Sequence, residues 1–376
     1  MVPTGIATES TTAEFSGTLV RTKQLRTVFD FENRDALFAA VHRSFKFCVL
    51  VIASAKAADF AFFLAHPAEL LEQDKRFSLT PAQISKINPN TRTAPIFRSK
   101  YDAELTKKIY GAISVLVNDS DPNGNPWLFD YMTKMFDMAD NSGDFLGETD
   151  LISAGFSALD FRLVRAGETA WVPLYEAKMV HLYDHRWATF ERVVFRECTL
   201  EEKQTSRFEP RPRYWLPEAR VKERLATKNW DRPWLIGWRG ICRATDERTL
   251  IASVYPATAV ANSLKNLFVA QPAALASVFV ACLSSLVLDY VERQKVGEIN
   301  LTVDALKQLP IPSPRSFSAD SVSTISSCVV ELVYTSATMR FFALDVGYSG
   351  PHTPGTNRVG REFARDWMLG APVCTA

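Results

Sequence analysis

Two short segments near the N-terminus constrain the fold most, because apolar side chains alternate along both of them. Residues 27–31 and 45–53 are rich in Val, Ile and Phe, and a polar, mixed stretch separates them. Alternation with a period of two is typical of strands with one buried face, so these segments predict two strands of one sheet. The alternating side chains are Phe29, Phe31, Phe45, Phe47, Val49 and Val51. Two strands alone would expose apolar surface and unpaired edges, so we expect this region to need a cover.

The pattern changes to helices and polar turns after about residue 57. The clearest helix is predicted over residues 99–113, where Ser99 and Asp102 have the spacing of a capping box. Leu105, Ile109 and Ile113 then form an apolar stripe at helical spacing.

Length and composition indicate a folded chain with a sizeable core. The chain has 376 residues, of which 47% are hydrophobic and 23% charged, and this length suggests two or three domains. The six cysteines form no CxxC pair, which favours a reduced, cytoplasmic setting, and the first residues lack a secretory pattern. The longest apolar run, residues 273–288, is too short for a membrane span and contains several Ser residues, so it predicts a buried helix.

Positive charge is concentrated in residues 203–243. This stretch holds eleven Lys or Arg residues against four Asp or Glu. Six aromatic residues are interspersed with them: Phe208, Tyr214, Trp215, Trp230, Trp234 and Trp238. Basic residues with interspersed aromatics suit a polyanion such as DNA. The alternative is a solvated basic surface whose aromatic residues anchor the core.

A dense polar cluster lies between residues 178 and 186. His181 and His185 are four residues apart, so they would share one face if the segment were a helix, and a zinc site has to be weighed. Leu182 follows His181 where a zinc protease would have its glutamate, and no third ligand is evident, so we predict no metal. Structural hydrogen bonding and contact with DNA both remain open for these histidines.

Two later segments add candidate DNA contacts. Residues 258–267 predict a helix, on which Asn262 would either read an adenine edge through its amide or cap the helix. Residues 291–300 contribute Arg293 and Lys295 before a turn that leads to the Leu-Pro-Ile-Pro element at 309–312.

Two segments carry a family resemblance: PLYEAKMVHLYDHRWATF at residues 173–190 and DYVERQKVGEINLTVDALKQLPIPSP at 289–314. In this order and spacing they resemble the C-terminal half of the large adenine-N6 DNA methyltransferases of type IIG restriction-modification and related phage-defence systems. Similar segments are FDFENRDALFAAVHRSFKFC at 29–48, IFRSKYDAELTKKIY at 96–110, PWLFDYMTKMFDM at 126–138 and residues 234–267. The resemblance runs from about residue 21 to residue 350.

The resemblance implies an α+β chain in four parts. Residues 1–56 would be the last strands of a class I (Rossmann-like) methyltransferase sheet, and residues 57–167 a mainly helical connector. Residues 168–315 would form a mixed α/β target-recognition domain. Residues 316–376 would form a C-terminal helix and an irregular tail, and this tail departs from the family pattern as a shifted reading frame would make it do.

The resemblance also implies what to expect of the site. A complete enzyme of this class has a Gly-rich loop for S-adenosylmethionine and an Asn/Asp-Pro-Pro-aromatic motif, and neither occurs here; Asn125-Pro126-Trp127 lacks the second proline and predicts a turn. We therefore expect no catalytic or cofactor-binding residue in this chain, and double-stranded DNA as its partner. The candidate DNA-binding residues are Lys178, His181, His185, Arg186, Arg211, Arg213, Arg220, Lys222, Arg239, Arg243, Asn262, Arg293 and Lys295.

Three functions remain open on the sequence. The chain is the DNA-recognition portion of a split, site-specific adenine methyltransferase whose catalytic half acts in trans. Alternatively, it is a complete methyltransferase with an unrecognised S-adenosylmethionine site, or a nonfunctional truncated remnant of such a gene.

Overall fold

The computed structural model describes residues 1–191, 194–295 and 300–350. These residues form a mixed α+β fold with several sheets. The strands are β1 Val2–Pro3, β2 Leu25–Glu32, β3 Lys46–Ile52, β4 Ala58–Leu64, β5 Phe77–Leu79, β6 Phe129–Met132, β7 Ser157–Leu159, β8 Arg162–Val164, β9 Trp171–Tyr175, β10 Ala188–Glu191, β11 Val194–Glu197, β12 Trp215–Pro217, β13 Trp234–Arg239, β14 Ala252–Pro256, β15 Ala259–Val260 and β16 Leu264–Val269.

The α-helices lie between groups of strands and, from Ala273 onward, follow the last strand. They are α1 Gly5–Thr8, α2 Ala13–Arg21, α3 Pro81–Ile87, α4 Lys100–Ala112, α5 Glu148–Ser153, α6 Leu200–Gln204, α7 Glu218–Ala226, α8 Ala273–Leu283, α9 Leu286–Lys295, α10 Val303–Lys307, α11 Ala319–Val333 and α12 Arg340–Val346. The predicted irregular tail, from residue 352 onward, lies outside the described residues.

The chain divides into two compact units. Unit 1 comprises residues 1–126, 243–245 and 287–313, and unit 2 comprises residues 127–242, 246–286 and those from 314 onward. The four parts predicted from the resemblance stay a prediction. The predicted boundary after residue 56 falls inside the first sheet of unit 1, because β4 pairs with β2.

Unit 1 contains a five-stranded sheet in the order β1-β3-β2-β4-β5. The two strands predicted from alternating Phe and Val are confirmed as β2 and β3, which pair antiparallel. β2 also pairs in parallel with β4, and β4 pairs antiparallel with β5. A single parallel pair does not establish a Rossmann-like sheet, so that part of the prediction stays a prediction.

The sheet of unit 1 corrects the expectation of an uncovered pair of strands. β2 is a central strand with a partner on each side, and Val28, Cys48 and Phe60 are fully buried. α2 packs against β2 and α3. Apolar surface remains exposed at Phe45 and Ile52. Residues 58–64 and 77–79 lie in the part predicted to be mainly helical, but they form β4 and β5 and extend the sheet beyond the two predicted strands.

The remaining helices of unit 1 follow local sequence signals. The predicted helix over residues 99–113 is confirmed as α4, and the Ser99 hydroxyl accepts a hydrogen bond from the Asp102 backbone N–H at 3.1 Å. The Tyr110 hydroxyl of α4 donates to the Gln308 carbonyl at 2.6 Å, which ties this helix to the segment that follows α10.

Unit 2 contains two larger sheets and a hairpin. One sheet has the order β14-β13-β16-β6, and the other has the order β12-β9-β8-β7 with β15 parallel to β9. Gly237 on β13 leaves room for the buried Tyr255 hydroxyl, which donates to Asn266 Oδ1 at 2.7 Å; an added Cβ would lie 2.2 Å from that hydroxyl oxygen. This arrangement fixes the register of three neighbouring strands.

The helix predicted over residues 258–267 is wrong. These residues form β15, a turn at Asn262, and the first half of β16. Val260 and Leu264 are buried against sheet neighbours, and their spacing fits a helical stripe as well as it fits two strand ends separated by a turn.

The apolar run at residues 273–288 is largely the buried α8, which ends at Leu283. Within the described ranges no single helix has the length and apolar character of a membrane span, and only the bent pair α8 and α9 taken together passes a test of length and composition.

Candidate nucleic-acid interface

The hairpin of β10 and β11 in unit 2 builds the first part of the candidate site. Phe190 pairs with Phe195 across the hairpin, and their rings lie in edge contact with centroids 5.8 Å apart. An extended segment runs beside β10: the Phe190 backbone N–H donates to the Arg211 carbonyl at 3.0 Å, and the Arg211 N–H donates to Thr189 Oγ1 at 2.9 Å. These two bonds fix the backbone at Arg211 next to the hairpin.

Three of the predicted DNA contacts come together around this hairpin. Lys178 Nζ lies 4.9 Å from the ring centroid of Phe195 and 5.7 Å from that of Phe190. The Arg213 guanidinium lies 5.1 Å from the Phe190 centroid on the same cluster of rings. We call the set formed by Lys178, Arg211, Arg213, Phe190 and Phe195 the cation–aromatic surface. Cation–π contacts hold the Lys178 and Arg213 side chains in place without neutralising their charge.

The charges of this surface are only partly compensated. Arg213 has a long contact of 3.4 Å to Glu176, whereas Lys178 and Arg211 are exposed and have no carboxylate within ion-pair distance among the described residues. The neighbouring Arg196 differs, because it pairs with Glu191 and Glu202 at 2.6 Å each. Cations without a carboxylate partner are available to neutralise DNA phosphate groups.

His185 and Arg186 lie in the interior of unit 2, so we remove them from the interface. The His185 ring is fully buried, and its Nε2 is 3.0 Å from Ser336 Oγ. The Arg186 guanidinium donates to four backbone carbonyls, those of Lys203, Thr205, Phe208 and Thr335, at 2.6–3.1 Å. A buried cation whose donors are used in this way stabilises the fold and cannot reach DNA without local unfolding.

Three further candidates have partners of their own in unit 2. Arg220 pairs with Asp144 at 3.2 Å and Glu223 at 3.1 Å, and Lys222 pairs with Glu218 at 3.1 Å. The Asn262 amide donates to Asp137 Oδ2 at 2.8 Å, as a turn residue and not as a helix cap. These residues are exposed or half-buried, but local acids compensate the two cations.

Arg243, Arg293 and Lys295 belong to unit 1 and are not part of the hairpin site. Arg293 pairs with Asp289 at 3.1 Å and donates to the Ala244 carbonyl at 2.8 Å. Lys295 donates to Asn88 Oδ1 at 2.6 Å. Burial lowers the pKa of Lys295 to about 7 and raises that of the neighbouring buried Glu292 to about 8. Lys295 is therefore poorly suited to a permanent phosphate contact.

His181 and Arg239 lie together at a second place in unit 2, a cavity of about 180 Å³. The segment from 181 to 184 is a turn and not a helix, since His181 and Asp184 form an isolated bridge; His181 and His185 consequently do not share a helix face. No group of three His, Cys, Asp or Glu side chains that could hold a metal occurs within the described part of the chain.

Unit 1 has a larger cavity of about 810 Å³. Its wall includes Asp30, Phe45, Lys46, Phe63 and Lys295. Asp30 accepts hydrogen bonds from the Thr4 hydroxyl at 2.5 Å and from the Phe63 backbone N–H at 3.1 Å, and burial raises its pKa. The cavity is large enough for a small organic molecule.

The sequence predicted neither the two aromatic residues of the cation–aromatic surface nor the acids that pair with Arg220 and Lys222. Phe190 and Phe195 were not identified as a pair, because their contact depends on the hairpin. The spacing of Glu218 and Lys222, four residues apart, was a usable signal for a helix ion pair. The partnership of Arg220 with Asp144 had no local signal, since 76 residues separate them.

No protein-family model matches the sequence, and no curated protein matches it. Among solved structures, the chain is similar to the type IIG restriction endonuclease BpuSI with a TM-score of 0.34 and 10% sequence identity. The match covers 95% of this chain and 47% of that chain. A likeness at this TM-score is weak and carries no argument about what this chain does.

Proposed function

We propose that this chain binds double-stranded DNA through the cation–aromatic surface of unit 2. It would act as the DNA-recognition portion of a site-specific adenine-N6 methyltransferase of a restriction-modification or phage-defence system. The observation that carries the proposal is the convergence of Lys178, Arg211 and Arg213 on one hairpin, with two of the three cations lacking a carboxylate partner among the described residues. The sequence resemblance supplies the type of system.

The chemistry of this surface suits the DNA backbone better than base edges. Lys178 offers a compact point charge, and the exposed Arg211 guanidinium offers a planar set of donors that matches a phosphate group. Such contacts give affinity and orientation but no sequence selection. The residues that read the target bases would lie elsewhere in the recognition segment.

Catalysis would be supplied in trans by a polypeptide that carries the S-adenosylmethionine loop and the catalytic motif. The alternative of a complete methyltransferase requires a cofactor site in this chain. The cavity of about 810 Å³ in unit 1 is the place to test for such a site, because it is large enough for a small organic molecule. A glycine in its wall, Gly5, adjoins the Glu9 side chain, so it does not form an open glycine-rich cradle.

Three measurements, two on the purified chain and one on the coexpressed pair, decide among the functions. Fluorescence anisotropy with a labelled duplex should show saturable binding that weakens steeply with salt. Calorimetric titration with S-adenosylmethionine should show no binding, and tritium transfer to DNA should appear only when a catalytic polypeptide from the neighbouring gene is coexpressed. A one-to-one calorimetric signal would establish the complete-enzyme alternative, and a folded chain with no DNA binding would establish the remnant.

A further inference from the structure

The small cavity of unit 2 combines three nitrogen-bearing side chains in a recessed place. His181, Arg239 and Arg248 line it together with Asp246 and Glu247. Its volume of about 180 Å³ is below the roughly 300–1,000 Å³ of pockets that hold drug-sized ligands. A small charged group is therefore the kind of occupant that it fits.

The Arg239 guanidinium is hydrogen-bonded through Nε, and its two terminal nitrogens are available to a ligand. Its Nε donates to the Val180 carbonyl at 2.7 Å, and the guanidinium has no other hydrogen-bond partner among the described residues. The side chain is half-buried on the end of β13. A guanidinium fixed through Nε presents its two terminal nitrogens in a set direction, so little conformational entropy is lost when they bind a pair of oxygens.

His181 is fixed beside this guanidinium. Its ring contacts Trp187 with centroids 4.3 Å apart and the ring planes tilted by 30°, and its backbone N–H donates to the Asp184 carbonyl at 2.7 Å. Burial, and secondarily the charge of Arg239, lowers the pKa of His181 to about 4, with Lys203 and Arg248 acting in the same direction and Asp184 opposing them. The imidazole thus lies in an electropositive environment.

Acidic groups also belong to this environment. Asp246 and Glu247 stand in the cavity wall, and the charges of Asp246 and Glu197 act on Arg239. Their negative charges oppose the binding of an anion. Asp246 is therefore a useful position for a test, because removal of its charge should strengthen anion binding.

We propose that Arg239 and His181 form an oxyanion site that takes one phosphate group, and that in the complex this group is a backbone phosphate of the bound duplex. The second half of the proposal rests on the proposed function. It assigns Arg239 to phosphate binding and not to base reading, because the half-buried guanidinium lines a small cavity, whereas base reading requires a side chain that projects into a groove.

The first test uses inorganic phosphate and requires no DNA. The His181 ring is followed by NMR while phosphate is added at constant ionic strength. Phosphate should shift the ring signals saturably and raise the pKa of His181, because a bound dianion stabilises the imidazolium. Arg239→Gln should weaken phosphate binding about tenfold or more, and Asp246→Asn should strengthen it. An unshifted His181 in the wild-type chain, or equal binding by the two variants, overturns the site.

The second test measures duplex affinity against salt. Arg239→Gln should lower the slope of log K against log salt by about 0.9 and weaken all sequences alike. A loss confined to particular sequences with an unchanged slope would assign Arg239 to base reading and overturn the phosphate assignment. Phosphate binding without any duplex binding would defeat the proposed function and the DNA half of the inference, and would identify an adventitious ion or free oxyanion as the occupant. Thermal melting of each variant controls for folding.

Discussion

Replacement of Lys178 and Arg211 together by Gln is the most informative perturbation of the cation–aromatic surface. Both side chains are exposed, and neither has a carboxylate partner among the described residues, so their removal should cost the fold no more than about 0.5 kcal/mol. If each cation neutralises one phosphate, the slope of log K against log salt should fall by about 0.9 per residue, or about 1.8 for the pair.

The size of the effect can be stated for a practical salt range. When salt rises from 50 to 200 mM, the affinity of the wild-type chain should fall by a factor about twelve times larger than the affinity of the double variant does, because the slopes differ by about 1.8. That factor is about 1.5 kcal/mol. Fluorescence anisotropy with a labelled duplex at four or five salt concentrations resolves it easily.

The matched control is the double variant Arg220→Gln/Lys222→Gln. These cations lie in the same basic stretch but pair with Asp144, Glu223 and Glu218. The control should keep the wild-type slope, because a cation already paired with a carboxylate neutralises no phosphate and so releases no counterion from the DNA. Equal slope changes in the two double variants, or no change in either, would refute the argument that compensation by acids selects the DNA contacts.

Three further outcomes test other parts of the structure. Arg186→Met should lower the free energy of unfolding by at least about 3 kcal/mol in urea denaturation, since it removes the four part-buried hydrogen bonds that the Arg186 guanidinium donates to backbone carbonyls; a loss below about 1 kcal/mol would contradict this. Glu292→Gln should gain stability relative to wild type as the pH rises from about 4.5 to about 8, because burial raises the folded pKa of Glu292 to about 8 while the unfolded carboxyl ionises near its ordinary value; a pH-independent difference would contradict this. In limited proteolysis β2 should resist cleavage as long as β9 does, because β2 has a partner strand on each side. Early cleavage of β2 would show that the strands of unit 1 are not paired as described.

Much of the fold could be predicted where the signal was local. The alternation of Phe29 with Phe31 and of Phe47 with Val49 identified β2 and β3, and the Ser99 cap identified the start of α4. β4 could not be predicted as a strand, because residues Ala58–Leu64 are nearly all apolar. Such a run does not distinguish a buried strand from a buried helix.

The candidate site could be predicted only in part for the same physical reason. Basic residue types were visible in the sequence, but whether a cation is available depends on distant partners. Arg186 and Arg211 cannot be distinguished in the sequence, yet Arg186 is buried and donates to four backbone carbonyls, whereas Arg211 is exposed. The pairing of Phe190 with Phe195, which positions Lys178, required knowledge of the hairpin.

Hydrogen exchange with and without duplex DNA tests the central claim most directly, because it reports where the DNA lies on the folded chain. The backbone amides of β10 and of the segment at Arg211 should gain protection, since they are hydrogen-bonded neighbours within the cation–aromatic surface. The α7 helix, which carries Arg220 and Lys222, should change little. Protection of α7 without protection of β10 and Arg211 would contradict the account.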